Sequence, residues 1–191
     1  MAAFGGCLLV LIGVAVVCAL WAVFRYNNLV SLKNQVANAW KQIDVQLKRR
    51  HDLIPNLIAS VKGEMQFEQD TLEKVMNARA RAMSATTVAE RGAAENEVSQ
   101  GLGRLLAVME NYPELKSNQN ALQLQEELSA TENKIGFARQ FYNDLVMKFN
   151  TSQQVFPTNI IAGMFNFKTA DLLQVAETDR VVPTVNLSTT A

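Results

Sequence analysis

The chain has 191 residues, 49% of them hydrophobic, with 18 Lys and Arg balanced by 18 Asp and Glu, one His and two Cys. A net charge of zero leaves no basic surplus for a nucleic-acid partner. One His and two Cys, both inside an apolar run, exclude a disulfide framework, a zinc site and the paired Glu-x-x-His sets of a di-iron bundle in the rest of the chain.

From Ala2 to Phe24 there is no Asp, Glu, Lys, Arg, His, Asn or Gln. About 20 apolar residues cross a hydrocarbon core, so this run predicts a transmembrane helix contacting the lipid bilayer through residues 2–24. Trp21, Phe24 and Tyr26 gather at its end, where aromatic rings favour the headgroup level, and Arg25 opens the charged sequence. A cleaved signal peptide would need a basic start, a shorter apolar core and a small-residue cleavage site. The run has no Lys or Arg, and Val17 before Cys18 is not the small residue of a lipoprotein site. The expectation is therefore an uncleaved, single-pass anchor. Between Arg25 and Arg50 stand Arg25, Lys33, Lys41, Lys48, Arg49 and Arg50 against Asp44 alone. Basic flanks stay on the cytoplasmic side, which predicts a cytoplasmic domain with the N-terminus outside.

Beyond the anchor the apolar residues recur at three-and-four spacing, the mark of an all-α domain. Leu29, Leu32, Val36, Ala39, Trp40, Ile43 and Leu47 form a stripe that continues the anchor as one helix to Arg50. Pro55 then predicts a break at residues 51–55, with Asp52 capping a second helix that carries Leu53, Leu57, Val61, Met65, Leu72, Val75 and Met76 and fades at Ser84. Thr87 and Glu90 have capping-box spacing and start a third helix, striped by Val98, Leu102, Leu105, Met109 and Tyr112. The fourth carries Ala121, Leu124, Leu128, Thr131, Ile135, Ala138, Tyr142, Leu145 and Phe149 in strict 3-4 steps, a seam that must be buried. After Phe156-Pro157 comes an apolar stretch, Asn159 to Phe167, then a short helical candidate from Thr169 and an extended tail around Val181 to Leu187. The predicted organisation is an anchor over residues 1–25, an antiparallel up-and-down four-helix bundle over 26–157, and an apolar segment with a tail over 158–191.

No phosphate-cradling glycine loop, nucleophile elbow, metal-ligand cluster or dinucleotide fingerprint is present, so no catalytic residue, metal or cofactor is expected. The candidate polar network comprises Arg50, Asp52, Glu132, Arg139 and Asn143, with Arg79 and Glu68 as plausible partners on the second helix. One reading makes it a polar recognition cleft, another a satisfied hydrogen-bond network that fixes helix register, and a third simply a solvated face. Ile160, Ile161, Met164, Phe165 and Phe167 form a candidate membrane or subunit contact, or alternatively a cap over the open end of the bundle core.

Several ordered blocks carry a resemblance. Tyr26-Asn27-Asn28-Leu29-Val30, Gln46-Leu47-Lys48-Arg49-Arg50-His51-Asp52-Leu53-Ile54-Pro55-Asn56-Leu57, Glu110-Asn111-Tyr112-Pro113-Glu114-Leu115-Lys116, Glu132-Asn133-Lys134-Ile135 and Arg139-Gln140-Phe141-Tyr142-Asn143 resemble the bacterial LemA family. The match runs on from Phe149-Asn150 to Phe156-Pro157. The resemblance implies a membrane-anchored four-helix bundle at the bacterial inner membrane and supplies no activity or catalytic residue. The leading expectation is a non-enzymatic scaffold or adaptor that forms homo-oligomers, its basic proximal part and acidic remainder favouring contact between copies. The alternative is a ligand-sensing or accessory domain for a membrane enzyme such as a peptidase, recognising a membrane protein partner through Glu132, Arg139 and Asn143. An unrecognised hydrolase is a third and weaker reading.

Overall fold

The computed structural model describes the backbone of residues 2–173 and the side chains of residues 11–173. Among these residues all regular structure is helical: α1 (Ala2–Val61), a 3₁₀ turn (Gln66–Glu68), α2 (Gln69–Ser84), α3 (Val88–Met109), α4 (Gln119–Gln154) and α5 (Thr158–Met164). The tail around Val181 to Leu187 lies outside the described residues. Among the described residues one helix is long and apolar enough to cross a membrane, and none of the residues in its most apolar stretch is buried by the protein.

Two compact units divide the chain. The first runs up to Lys48 and from Asn133 to Leu172; the second runs from Arg49 to Glu132 and takes up the chain again at Leu173.

In the first unit α1 buries Leu29, Leu32, Val36, Ala39, Ile43 and Leu47, and α4 buries Ile135, Tyr142, Leu145, Val146 and Phe149. All but Val146 lie on the stripes read from the sequence, and the Trp40 ring meets that of Tyr142 at a tilt of 59° with ring centroids 5.4 Å apart. The apolar stretch after Pro157 forms α5, which ends in a Schellman motif: the Phe167 amide donates to the Ala162 carbonyl at 3.0 Å and the Asn166 amide to that of Gly163 at 3.2 Å. Asn166 occupies the left-handed position at φ 56°, which its short polar side chain tolerates. Ile161 and Ala162 then pack with Leu29, flanked by Trp21, Ala22, Tyr26 and Phe167.

The helix expected from Thr169 is absent among the described residues. Residues 167–173 have no regular structure and are held by side chains instead. Asn150 exchanges two 2.9 Å hydrogen bonds with the Ala170 backbone, accepting from its amide and donating to its carbonyl. The Tyr142 hydroxyl donates to the Asp171 carbonyl at 2.9 Å. These bonds satisfy backbone groups that a helix would have satisfied internally.

The second unit is a bundle of four helical segments: the end of α1, α2, α3 and the start of α4. Its core comprises Ile54, Leu57, Val61, Met65, Leu72, Val75, Val98, Leu102, Leu105 and Leu128 among others. A Cβ on Gly101 of α3 would lie 3.3 Å from Val75 Cγ2, so this glycine permits the close approach of α2 and α3. The α3 start follows the predicted capping box: Thr87 Oγ1 accepts from the Glu90 amide at 3.2 Å and Glu90 Oε2 from the Thr87 amide at 3.3 Å.

The break expected at residues 51–55 does not occur. α1 carries Pro55 in its interior and ends at Val61. Ile54, Leu57 and Val61 are buried with essentially no exposed surface, so continuing the stripe outweighs the proline penalty. Asp52 is accordingly not a cap but an exposed residue inside α1. The predicted second helix is divided: its first part belongs to α1, and its second is α2, reached through Gly63, Met65 and the 3₁₀ turn.

Candidate functional site

Arg50 and Glu95 are the most deeply buried charges among the described residues, at 0% and 1% exposure. Arg50 projects from α1 into the second unit, and its two terminal nitrogens meet different carboxylates, Nη2 that of Glu95 on α3 and Nη1 that of Glu132 on α4. Nη1 also donates to Ser99 Oγ at 2.7 Å, and Nη2 to the Glu95 carbonyl at 3.2 Å. Ser99 in turn donates to Glu132 Oε1 at 2.6 Å. His51, the next residue on α1, places Nε2 3.1 Å from Glu95 Oε1 and 3.2 Å from Oε2. One cation thus joins three helical segments through two carboxylates and a hydroxyl.

Electrostatics decides the state of Glu95. Burial alone would push its carboxyl up, but the His51 hydrogen bond and the Arg50 charge outweigh it and hold the carboxyl below the usual range. Glu132 closes the cluster toward solvent, its side chain 41% exposed. The Ser99 oxygen receives the Arg50 donor while its proton goes to Glu132, so its lone pair faces a cation and is a poor nucleophile. Among the described residues no three His, Cys, Asp or Glu side chains are grouped to hold a metal ion.

Arg79, on α2, stands beside this cluster with another task. Its Nε donates at 2.8 Å to the carbonyl of His51, the acceptor that an ordinary residue at position 55 would bond and that Pro55 cannot. Glu68 lies elsewhere in the second unit, accepting from the Tyr112 hydroxyl at 3.5 Å.

The structure therefore brings together Arg50 and Glu132 of the predicted network. Asp52 is an exposed residue of α1, and Arg139 and Asn143 are half-buried on the α4 segment of the first unit. Of the predicted apolar contact residues, Ile161 is buried and Phe167 half-buried, whereas Ile160, Met164 and Phe165 are exposed. Phe165 lies 4.6 Å from Tyr26 between ring centroids, and Phe167 5.9 Å from it. Sequence reasoning missed Glu95, Ser99 and the role of His51. Glu95 stands three residues before Val98 on the buried stripe of α3, and an acid on an apolar stripe was the available signal.

The first unit also carries an open groove on its α1 and α4 segments, lined by Val45, Lys134, Phe137, Ala138 and Phe141. Val45 is 63% exposed, Phe137 73% and Phe141 52%.

Comparison with known proteins places the chain. It is 29% identical over 159 residues to Protein LemA of Metamycoplasma hominis, covering 82% of this chain and 72% of that one. It is 25% identical over 176 residues to the magnetosome proteins MamQ 1 and MamQ 2 of Paramagnetospirillum magneticum, covering 78% of this chain and 65% of each of theirs, slightly under two thirds. The LemA family profile matches residues 39–187, most of the chain and both units, and the protein belongs to the LemA family, whose function is unknown.

Proposed function

We propose that this protein is a membrane-anchored, non-enzymatic scaffold or adaptor that self-associates at the bacterial inner membrane, with its N-terminus outside and its helical domain in the cytoplasm. The observation that carries this reading is the exposed aromatic groove of Val45, Phe137 and Phe141. Large rings stand open to solvent there, with Lys134 in the lining, and such an apolar patch on a soluble surface marks a protein contact. The buried Arg50 cluster supports the same reading from the other side, because its one hydroxyl, that of Ser99, is held between Arg50 and Glu132 and is not an activated nucleophile. Orientation rests on the basic residues that follow the apolar run.

The test is the particle mass of the full-length protein extracted from membranes in native lipid discs. Wild-type protein is expected as a discrete oligomer, and Phe137→Glu with Phe141→Glu as a monomer with unchanged helicity. A wild-type monomer at every workable concentration overturns the reading.

A further inference from the structure

We propose that the first unit holds a site for the phosphate of an anionic membrane lipid, centred on Arg25, with α5 seated in the headgroup layer beside it. The inference rests on the apolar run being embedded in a bilayer, as in the function proposed above.

Arg25 is the first charged residue after the apolar run. Its guanidinium carbon lies 5.6 Å from the Trp21 ring centroid and 6.0 Å from that of Phe24, a cation held over aromatic faces at the depth where such rings settle. Its Nε is buried and has no hydrogen-bond partner among the described residues. Arg25 borders a cleft of about 210 Å³ that it shares with Asn28, Thr151, Ser152, Thr158 and Phe156, and no acidic residue lines that cleft. One fork of cationic donors, three hydroxyls and an amide match a group with several acceptor oxygens and negative charge, which is the chemistry of a phosphodiester.

The source of that phosphodiester follows from what adjoins the cleft. α5 packs on Leu29, flanked by Trp21 and Tyr26, so it sits where the apolar run ends. Ile160 and Met164 of α5 and Phe165, which follows it, remain 53%, 73% and 56% exposed, beside a span whose Leu20, Val23 and Phe24 are exposed to a similar degree. The two apolar surfaces belong to one packed unit, and a bilayer that covers the second reaches the first. Lys168, exposed just beyond, adds a second cation at the same level, as anionic headgroups favour.

Native mass spectrometry of the full-length protein, extracted from bilayers containing phosphatidylglycerol, reads the bound lipid directly. Wild-type protein is expected to retain phospholipid, and Arg25→Gln to retain about tenfold less, the size of one lost charge-assisted hydrogen bond. Equal retention by both overturns the proposal. Displacement of the lipid by inorganic phosphate also overturns it, by making the site one for the free ion. A spin label at Met164→Cys, in a background with Cys7→Ser and Cys18→Ser, reports depth independently of Arg25. Stronger relaxation by lipid-soluble oxygen than by a water-soluble nickel chelate is expected, and the reverse order removes α5 from the headgroup layer. Extraction of wild-type protein by alkaline carbonate would instead remove the anchor itself, a failure of the membrane reading that the lipid assay would not mimic.

Discussion

Arg79 donates from Nε to the carbonyl of His51 at 2.8 Å, and in doing so replaces the backbone donor that Pro55 removes from the middle of α1. Substituting Arg79 by Leu leaves that carbonyl without its donor and is expected to destabilise the protein by about 1–3 kcal/mol. Adding Pro55→Ala should recover most of the loss, because the substituted position then has an N–H to bond the same oxygen. Urea denaturation of the four proteins of this cycle checks it, and additive effects would refute the linkage.

Acid should act on the second unit through Glu95. Its folded carboxyl lies below the usual value, so the stability it contributes is present above the unfolded carboxylate range and is lost as pH falls through the folded value. The expected result is a falling unfolding free energy from about pH 5 downward, with a shallower acid limb in Glu95→Gln. Identical pH profiles for wild type and variant would show that Glu95 is not the group responsible.

Removing Arg50 strands a buried carboxylate. Arg50→Met is expected to cost about 3–5 kcal/mol, whereas Arg50→Met with Glu95→Leu should cost less than the single change, since no unpaired charge remains inside. The exposed Arg81–Glu97 pair, 2.6 Å apart, offers the contrast: Arg81→Ala should shift stability by no more than about 1 kcal/mol. Thermal melts of the three variants give the ordering.

Asn150 is the clip for the segment that follows α5. Asn150→Ala removes both of its bonds to Ala170, and the Ala170 amide should then exchange hydrogen at least about tenfold faster while the α4 amides around Ile135 keep their protection. Unchanged exchange at Ala170 would mean that the Tyr142 hydroxyl alone secures the segment.

Thr87 caps α3, and Thr87→Ala should lower stability by about 1 kcal/mol without altering the burial of Val98 or Leu102. The same measurement on Thr86→Ala, whose hydroxyl lies 3.3 Å from Glu90 Oε2 at an exposed position, should show a smaller effect.

Features set by neighbours in sequence were readable from the chain. The capping box of Thr87 and Glu90, the seam from Ala121 to Phe149 and the apolar run before Arg25 each declare themselves within a few turns of helix. What was not readable depends on partners far along the chain. Pro55 predicts a break when read locally, and the side chain that compensates for it comes from 28 residues beyond the carbonyl it serves. Residues after Thr169 have helical composition, yet Asn150 and Tyr142, already committed to α4, capture their backbone first. The polar network is half legible: Arg50 and Glu132 stand out in the sequence, and Glu95 interrupts an apolar stripe, but its pairing with Arg50 joins residues 45 apart that no local pattern links.

The division of the chain into a unit formed from residues up to Lys48 with residues 133–172, and another formed largely from what lies between, fixes an order of assembly. During synthesis the segment from Arg49 to Glu132 can gather its own core before the returning part of α4 has been made. Closure of the first unit waits for residues beyond Asn133, contacts that span most of the chain and are therefore slow. Until then the inner faces of Leu29, Val36 and Ile43 stand uncovered, and the returning part of α4 is what shelters them.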